Sequence, residues 1–436
     1  MKKKLLLLLV IFVVTGCGSS SVPVRNFEAN LLGLQPEDYT ELHFDLAYPE
    51  TLQIDGMKDG KIYFQYLDSL EVHTGRERYN FTADNVLRNA TGIYDIEKNS
   101  YQSGIYVEDD LASKGIFDVI SSYKNHLIMD NETGYFTSAL GTEIFSEEYR
   151  LYTYAIDYVK HTRKIKKDYG TYRYATPYPL LYDKEHFFIY FEDEGKTQAT
   201  IYHYDTVSDE ATPVIIQPEG VQFVTAMVEK KWIWVYVLDL EHNNDKNRPY
   251  HYLYQYQVDG TIQKIYPIPD EIVNNRNSST DVFMPSTMKR FSNNIFYLED
   301  FGFLNHFFLK LGKEGFEVLP SFYNNKRLRM LLQTGNLSAE KNYFYSHFRE
   351  VTHILEFDER KEELMEFTLP NPYEGSNIDY LFQYYTDEKG NLLAVIKRPL
   401  LWKVEDLPLS EYLSEYLKVY FIPQKTMKKY FSDYSI

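Results

Sequence analysis

The sequence predicts an all-β protein, and three observations lead to this fold class. Aromatic residues make up 17% of the 436 residues, with 41 Tyr and 28 Phe, and aromatic side chains favour the half-buried surface of a β-sheet. Hydrophobic residues at 44% and charged residues at 25% are typical of a folded globular chain. The third observation is a pair of sequence patterns that each recur seven times.

The first pattern is a polar turn followed by a strongly apolar, aromatic strand, which we expect to be the inner strand of each unit. Its copies are IYFQYL after Lys61, LIM after His126, FFIYF after His186, WIWVYVL after Lys231, IFYL after Asn294, YFYSHF after Asn342 and LLAVI after Asn391. The second pattern is a strand, a polar turn and a second strand, always downstream of a copy of the first. Its copies are Ile93 to Gln102, Tyr152 to Ile165, Ile201 to Val214, Tyr252 to Ile265, Phe307 to Leu319, His353 to Phe367 and Lys418 to Phe431.

A repeat of roughly 50 residues that supplies an inner strand, a hairpin and a further strand resembles the blade of a β-propeller. The resemblance predicts about seven four-stranded blades over residues 42–436. It is a resemblance to an architecture, since neither a WD nor a kelch signature is present, and it therefore implies no family activity. A pair of unrelated β domains remains the alternative.

Two segments depart from the repeat. Leu70 to Asn99 contains NFTADNVLRNATG, which indicates a loop with a short helix in the first unit. After Pro408, Leu409, Leu413 and Leu417 stand four apart and would share one face of a helix. We therefore predict a short inserted helix near the C terminus, covering the flank of the propeller, with docking of a partner as the alternative.

The N terminus has the three-part pattern of a secretory signal. Three lysines, from Lys2 to Lys4, precede an apolar run from Leu5 to Val14. Ten apolar residues are too few to span a bilayer, which needs about 18 to 20. The segment is therefore predicted to direct export without crossing the membrane as a helix.

The only cysteine of the chain, Cys17, lies three residues after the end of this apolar run. Val14-Thr15-Gly16-Cys17 resembles the lipobox of bacterial lipoproteins, although Leu is commoner than Val at the first position. The resemblance implies cleavage after Gly16, a diacylglyceryl group on the Cys17 thiol and acylation of the new amino terminus. Two or three acyl chains suffice for stable anchoring. An ordinary signal peptide with an incidental cysteine is the alternative.

The predicted organisation is therefore a signal peptide over 1–16, a lipidated cysteine with a flexible spacer over 17–41, and the propeller-like domain over 42–436. Removal of three lysines with the leader leaves 43 basic against 63 acidic residues, a net charge of −20. This charge argues against nucleic acid as a partner, because phosphates are bound by Lys and Arg. The predicted location is the extracytoplasmic side of the cell membrane.

No established catalytic motif is present in the sequence. It contains neither a GxSxG elbow nor a GxxxxGK[ST] loop, nor an HExxH pair. A single cysteine excludes a disulfide framework and a cysteine-rich zinc site. We therefore predict no cofactor, no metal and no catalytic residue.

One further pattern repeats, because five of the seven aromatic strands end in an acid. These acids are Asp68, Asp130, Asp193, Asp239 and Asp300. Equivalent loops of all blades emerge on one side of a propeller, so the five would form an acidic face for a cationic protein, peptide or glycan. The alternative is that each Asp only opens a turn through its own backbone hydrogen bonds.

The function predicted from these features is that of a membrane-tethered, extracytoplasmic module that binds a ligand or partner. Its contact with membrane lipid would be the Cys17 anchor. The alternative is an extracytoplasmic glycan hydrolase or lyase that uses carboxylates in the propeller funnel. Aromatic residues serve both sugar stacking and core packing, so they do not discriminate between the two.

Overall fold

A computed structural model gives the fold. The structure describes residues 36–46, 51–71, 86–114, 125–130, 132–141, 149–181, 186–193, 195, 198–229, 231–244, 248–273, 285–290, 294–300, 306–319, 335–337, 343–348, 351–358, 363–370, 381–387, 389–397 and 417–426. Cys17, the spacer and the predicted helix at 404–417, except for Leu417, lie outside these residues. Two four-residue helices, α1 (Asp110–Ser113) and α2 (Asp270–Val273), and one 3₁₀ turn (Pro36–Asp38) accompany the strands.

The described strands form seven antiparallel blades of four strands each, so the predicted β-propeller is confirmed. Blade 1 contains β2 (Gln53–Lys58), β3 (Lys61–Glu71), β4 (Val86–Asp95) and β5 (Ser100–Ile105). Blade 2 contains β7 (Asn125–Asp130), β8 (Thr133–Gly141), β9 (Tyr149–Asp157) and the first half of β10 (Thr162–Leu181). Blade 3 contains the second half of β10, β11 (His186–Asp193), β12 (Thr200–Asp205) and β13 (Glu210–Ile216).

The remaining four blades follow the same order. Blade 4 contains β14 (Val221–Glu229), β15 (Trp232–Asn244), β16 (Arg248–Gln257) and β17 (Ile262–Pro267), and blade 5 contains β18 (Pro285–Arg290), β19 (Ile295–Asp300), β20 (His306–Leu311) and β21 (Phe316–Val318). Blade 6 contains β22 (Gly335–Leu337), β23 (Tyr343–Phe348), β24 (Val351–Asp358) and β25 (Glu363–Pro370). Blade 7 contains β26 (Leu381–Thr386), β27 (Leu392–Lys397), β28 (Leu417–Ile422) and β1 (Thr40–Leu42).

Blades 2 and 3 share the 20-residue strand β10 and form one eight-stranded sheet. Its first half pairs with β9 and its second half pairs with β11. Gly170 sits at the change of partner with a φ of +79°, a conformation that a side chain would strain. The two-residue strand β6 (Glu108–Asp109) pairs in parallel with the start of β10.

The core consists of separate apolar layers between consecutive blades. Strand β15 shows why, because Ile233 and Val235 pack toward blade 3 while Trp234 and Tyr236 pack toward blade 5. Successive side chains of a strand point to opposite faces of its sheet, so a strand between two neighbours must be apolar on both faces. Equivalent layers join blades 7 and 1, blades 1 and 2, and blades 2 and 3.

The ring closes by pairing the two ends of the described chain. Thr40, Glu41 and Leu42 of β1 pair with Phe421, Tyr420 and Val419 of β28. The N-terminal strand is thus the outer strand of the last blade. Leu42 is 3% exposed and belongs to the apolar layer between blades 7 and 1.

Several sequence predictions are corrected by this topology. The aromatic strands are the second strands of their blades in every unit but blade 2, where the LIM segment belongs to the first strand, β7. The seventh predicted hairpin is wrong, because β1 supplies the partner of β28. Within the first unit, residues 86–95 form strand β4 in place of a loop with a helix. The other six hairpins are confirmed by the strand pairings.

The two ends of the ring differ in which connections they carry. The hairpins between strands 1 and 2 and between strands 3 and 4 lie at one end, here called the hairpin end. The loops between strands 2 and 3 and the links between blades lie at the other, the connection end. Ion pairs join neighbouring blades at the hairpin end, namely Lys61 with Glu132, Lys166 with Asp209 and Arg290 with Glu229.

Closure through β1 makes a prediction about stability. Leu42→Asp would place a carboxylate in the apolar layer between blades 7 and 1, and we expect it to lower the free energy of unfolding by more than about 2 kcal/mol. Urea denaturation measures this change. The adjacent Glu41→Gln is the matched control, because its ion pair with Lys418 is partly exposed and should contribute less than about 1 kcal/mol. Equal unfolding curves for Leu42→Asp and the unmodified protein would contradict a stabilising role for β1.

Candidate functional site

The structure brings four of the five predicted aspartates to the connection end. Asp68, Asp193, Asp239 and Asp300 lie in the outgoing parts of the second strands β3, β11, β15 and β19. Asp130 ends β7, which is a first strand, and therefore lies at the hairpin end. The prediction that all five aspartates share one face is therefore wrong for Asp130.

The side chains of Asp68 and Asp239 are described, and both are half-buried. The Asp239 carboxylate accepts a hydrogen bond from the backbone N–H of Glu241 at 3.1 Å. This contact agrees with the alternative prediction, in which each Asp opens a turn through a hydrogen bond to its own backbone.

Among the residues that the structure describes, the connection end carries more acidic than basic residues, whereas the hairpin end is mixed. By strand position, its acids are Asp68, Glu71, Asp168, Glu192, Asp193, Glu219, Asp239, Glu241, Asp270, Glu271, Glu299 and Asp300. Basic residues placed there are Arg88, Arg150, Arg173, Arg248, Lys397 and Lys418. At the hairpin end, lysines such as Lys58, Lys98, Lys160 and Lys231 alternate with acids.

A second set of aspartates, at the hairpin end, was missed by the sequence reading. Asp95, Asp157, Asp205 and Asp259 begin the hairpin after the third strand of blades 1 to 4. Each accepts a hydrogen bond from a backbone N–H two or three residues on. In three of these hairpins, the Asp is followed four residues later by a residue with positive φ, namely Asn99, His161 or Asp209. This spacing is the sequence signal that could have identified the set. These carboxylates stabilise turns.

A buried polar network lies between blades 1 and 2. The Asp55 side chain is fully buried, and a bulge in β2 falls between Ile54 and Gly56, so Asp55 leaves the normal alternation. Gln65 Nε2 donates to both Asp55 carboxylate oxygens at 3.0 and 2.9 Å, and the Tyr158 hydroxyl donates at 2.7 Å. Burial and the Asp55 charge raise the pKa of Tyr158 well above its ordinary value.

The same network continues to a buried ion pair. The Tyr106 hydroxyl donates to Gln65 Oε1 at 3.0 Å, and the Arg163 guanidinium lies 4.9 Å from the centre of the Tyr106 ring. Arg163 is 1% exposed and donates to both Asp109 oxygens at 2.9 and 2.7 Å. Asp109 also caps α1. Because these groups satisfy one another, the network holds two blades together.

A lysine that is half-buried lies in blade 5. Lys289 is on the first strand and pairs with Tyr297 on the second strand. Burial lowers the pKa of Lys289 to about 7, and the charge of Glu299 opposes the shift. Burial also raises the pKa of Tyr297 well above its ordinary value, as do the charge of Glu299 and the hydrogen bond to it. This cluster has the residue types of acid–base chemistry, but most of blade 6, which faces it, has no described side chains.

Neither a metal centre nor a membrane span is found in the described residues. No three His, Cys, Asp or Glu side chains of the described part converge as metal ligands would. No helix among these residues has the length and apolarity needed to cross a membrane. The strand ends and the two buried clusters are thus the features from which a function can be argued.

Comparisons with known proteins extend only to solved structures. No family model matches the chain, and no curated protein matches it. The β-propeller domain of the Trilobed protease from Pyrococcus furiosus is 10% identical and covers 80% of this chain and 89% of its own, with a TM-score of 0.40. Acylaminoacyl peptidase from Pyrococcus horikoshii is also 10% identical, covering 81% of this chain and 52% of that chain, with a TM-score of 0.40.

Dipeptidyl peptidase 4 from Porphyromonas gingivalis is 13% identical and covers 86% of this chain and 52% of that chain, with a TM-score of 0.40. The chain thus spans about half the length of these two peptidases. The count of seven blades rests on the strand pairing described above.

Lys289 makes a prediction about pH. Its pKa is lowered to about 7 in the folded protein from an ordinary 10.5, so from pH 7 to 9 the unfolded chain binds more protons at this site. Lys289 therefore destabilises the folded protein less as the pH rises through this window. Lys289→Met should raise the free energy of unfolding most at pH 7 and progressively less at pH 8 and 9.

Urea denaturation at the three pH values measures this dependence. Lys389→Met is the matched control, because it removes the same charge from an exposed site and should give a difference that does not vary with pH. A Lys289→Met difference that stays constant from pH 7 to 9 would show that the buried amine does not titrate in this window.

Proposed function

We propose that this chain is a lipid-anchored, extracytoplasmic binding module that captures a cationic partner at the connection end of its propeller. The observation that carries the proposal is the excess of acidic over basic residues among those described at the connection end. Together with a net charge of −20 for the chain without its leader lysines, it gives long-range attraction for a cation and raises the rate of association.

The lipid anchor in this proposal rests on the sequence around Cys17. The Gly18 to Val24 spacer, with three consecutive serines, has the composition of a flexible linker. The chain enters the ring through Thr40 of β1, which pairs with Phe421 near the hairpin end of blade 7. A tether that attaches at the hairpin end leaves the connection end accessible to a partner.

The anchor is tested by Cys17→Ser in the full-length chain. We expect loss of lipid labelling and release of the protein from the membrane fraction, because one thiol carries the whole attachment. Metabolic labelling with a radioactive fatty acid and sedimentation of membranes measure the two effects. Ser19→Ala leaves the cysteine intact and serves as the control. Membrane retention of Cys17→Ser would contradict the lipoprotein assignment.

The binding face is tested by the triple variant Asp193→Asn, Asp239→Asn and Asp300→Asn. Side-chain amides still open turns, so we expect the fold to persist while capture of the partner weakens and depends less on salt. The measurement is a pull-down from membrane extracts at low and high ionic strength.

The matched control carries the same change of charge at the hairpin end, through Asp59→Asn, Glu97→Gln and Asp259→Asn, three exposed residues. This control should capture the partner as the unmodified protein does. Identical partner sets for all three proteins would refute the binding face. Turnover of a cell-wall glycan by the purified protein would instead support a hydrolase.

A further inference from the structure

A row of tyrosines crosses the third strand of blade 4. Tyr250, Tyr252 and Tyr254 occupy alternate positions of β16, with neighbouring ring centres 6.4 and 6.2 Å apart. Alternate residues of a strand share one face. The face is that of blade 3, because Tyr252 and Tyr254 pack against the apolar layer between blades 3 and 4. Tyr250 is 41% exposed.

Two exposed isoleucines extend this apolar surface onto the outer strand. Ile265 of β17 pairs with Tyr254, and Ile262 pairs with Tyr256, which places both on the same face as the tyrosines. They are 44% and 46% exposed. Exposed apolar side chains that adjoin one another, rather than standing singly, mark a site of interaction. We call the surface formed by Tyr250, Tyr252, Tyr254, Ile262 and Ile265 the tyrosine groove.

The tyrosine groove is closed toward the hairpin end. Gly260, in the turn between β16 and β17, has a φ of +87°, and a Cβ atom there would lie 2.1 Å from the carbonyl oxygen of Val214 in blade 3. Glycine is therefore required for this close approach of the two blades. The groove opens toward the connection end, where the proposed partner binds.

The innermost tyrosine of the row has an unsatisfied hydroxyl. Tyr256 follows Tyr254 with its ring centre 6.1 Å away and is 3% exposed. Within the described part of the chain, its buried hydroxyl has no hydrogen-bond partner. A buried polar group without a partner is costly. A ligand that reaches this hydroxyl would remove the cost.

Acidic residues surround the open end of the tyrosine groove. Asp239 pairs with Tyr250 across the strands, and after burial its charge is the next cause that raises the pKa of Tyr252 and Tyr254. Glu219 and Glu241 are exposed nearby, and the Glu241 side chain packs against Gly220. Arg248 precedes Tyr250 by two residues on β16 and shares its strand face, so the mouth holds three acids and one base. The site is therefore apolar and aromatic along its floor and net negative at its mouth.

We propose that the tyrosine groove binds an extended segment of a partner protein whose groove-facing side chains, at alternate positions, are apolar along the floor and basic at the mouth. Apolar side chains would cover Ile262 and Ile265, and Lys or Arg would meet Asp239 and the tyrosine faces, which attract cations. The four residue steps from Tyr250 to Tyr254 span about 13 Å, which accommodates about four residues of peptide. This inference rests on the proposed function and locates its site.

The experiment uses the full-length chain in phosphatidylcholine nanodiscs and three fluorescein-labelled octapeptides. Every second residue of each peptide is serine, and the other four, which share one face of the extended chain, are two leucines then two lysines, two serines then two lysines, or two leucines then two glutamates. Fluorescence anisotropy should show that the leucine–lysine peptide binds at least about tenfold more tightly than the other two, because it alone matches both the apolar floor and the negative mouth.

The double variant Ile262→Thr and Ile265→Thr should lower the affinity for the leucine–lysine peptide by about tenfold or more. Thermal melting of the variant checks that the fold is retained. Thr keeps the β-branched shape at two exposed positions. The control is Val159→Thr with Val207→Thr, which makes a similar change at residues that are 56% and 76% exposed at the hairpin end. It should bind as the unmodified protein does.

Three results separate this inference from the proposed function. If the triple Asp→Asn variant loses the peptide but the Ile→Thr variant does not, the acidic end binds and the groove is refuted. Equal binding of the leucine–lysine and serine–lysine peptides also refutes the groove. If sedimentation shows a dimer that the Ile→Thr variant dissociates, the occupant is a second copy of this chain and the peptide proposal is wrong.

Discussion

Closure of the ring is the constraint on which the structure depends. Each blade exposes an apolar face on both sides, so no blade can bury its surface without two neighbours. The layers between consecutive blades provide those neighbours from blade 7 through blade 5. The last blade is completed by β1, whose three residues come from the opposite end of the described chain. Local hairpins therefore become a stable fold only when a contact of very long sequence separation is made.

The sequence was sufficient for the fold class and the repeat, but not for the position of each strand in its blade. The run WIWVYVL was taken as an inner strand because it is apolar throughout. A strand is apolar on both faces when it lies between two neighbouring blades, and this condition is met best by the second strand. First strands border the axis and carry residues such as Asp55, Thr225 and Lys289. Apolarity measures burial, and it does not give the distance from the axis.

The candidate site was predicted less well for a similar reason. The side of the ring on which an aspartate emerges depends on whether its strand is the first or the second of the blade, which separates Asp130 from Asp239. The pairing of β1 with β28, which replaces the seventh hairpin, cannot be predicted from a local sequence pattern. The bulge at Asp55 and the positive φ of Gly170 likewise depend on packing between blades. What the sequence does contain is the hairpin aspartate at Asp95, Asp157 and Asp205, since that signal is local.

The two ways of joining neighbouring blades have unequal mechanical strength. Blades 2 and 3 are joined by one continuous strand, the 20 residues of β10, whereas blade 7 holds its outer strand by three residue pairs. A pulling force applied through the N-terminal segment enters the ring at Thr40 and acts first on this short pairing, one hydrogen bond after another. The outer strand of blade 7 would thus detach under load before any other strand, and the ring would open between blades 7 and 1.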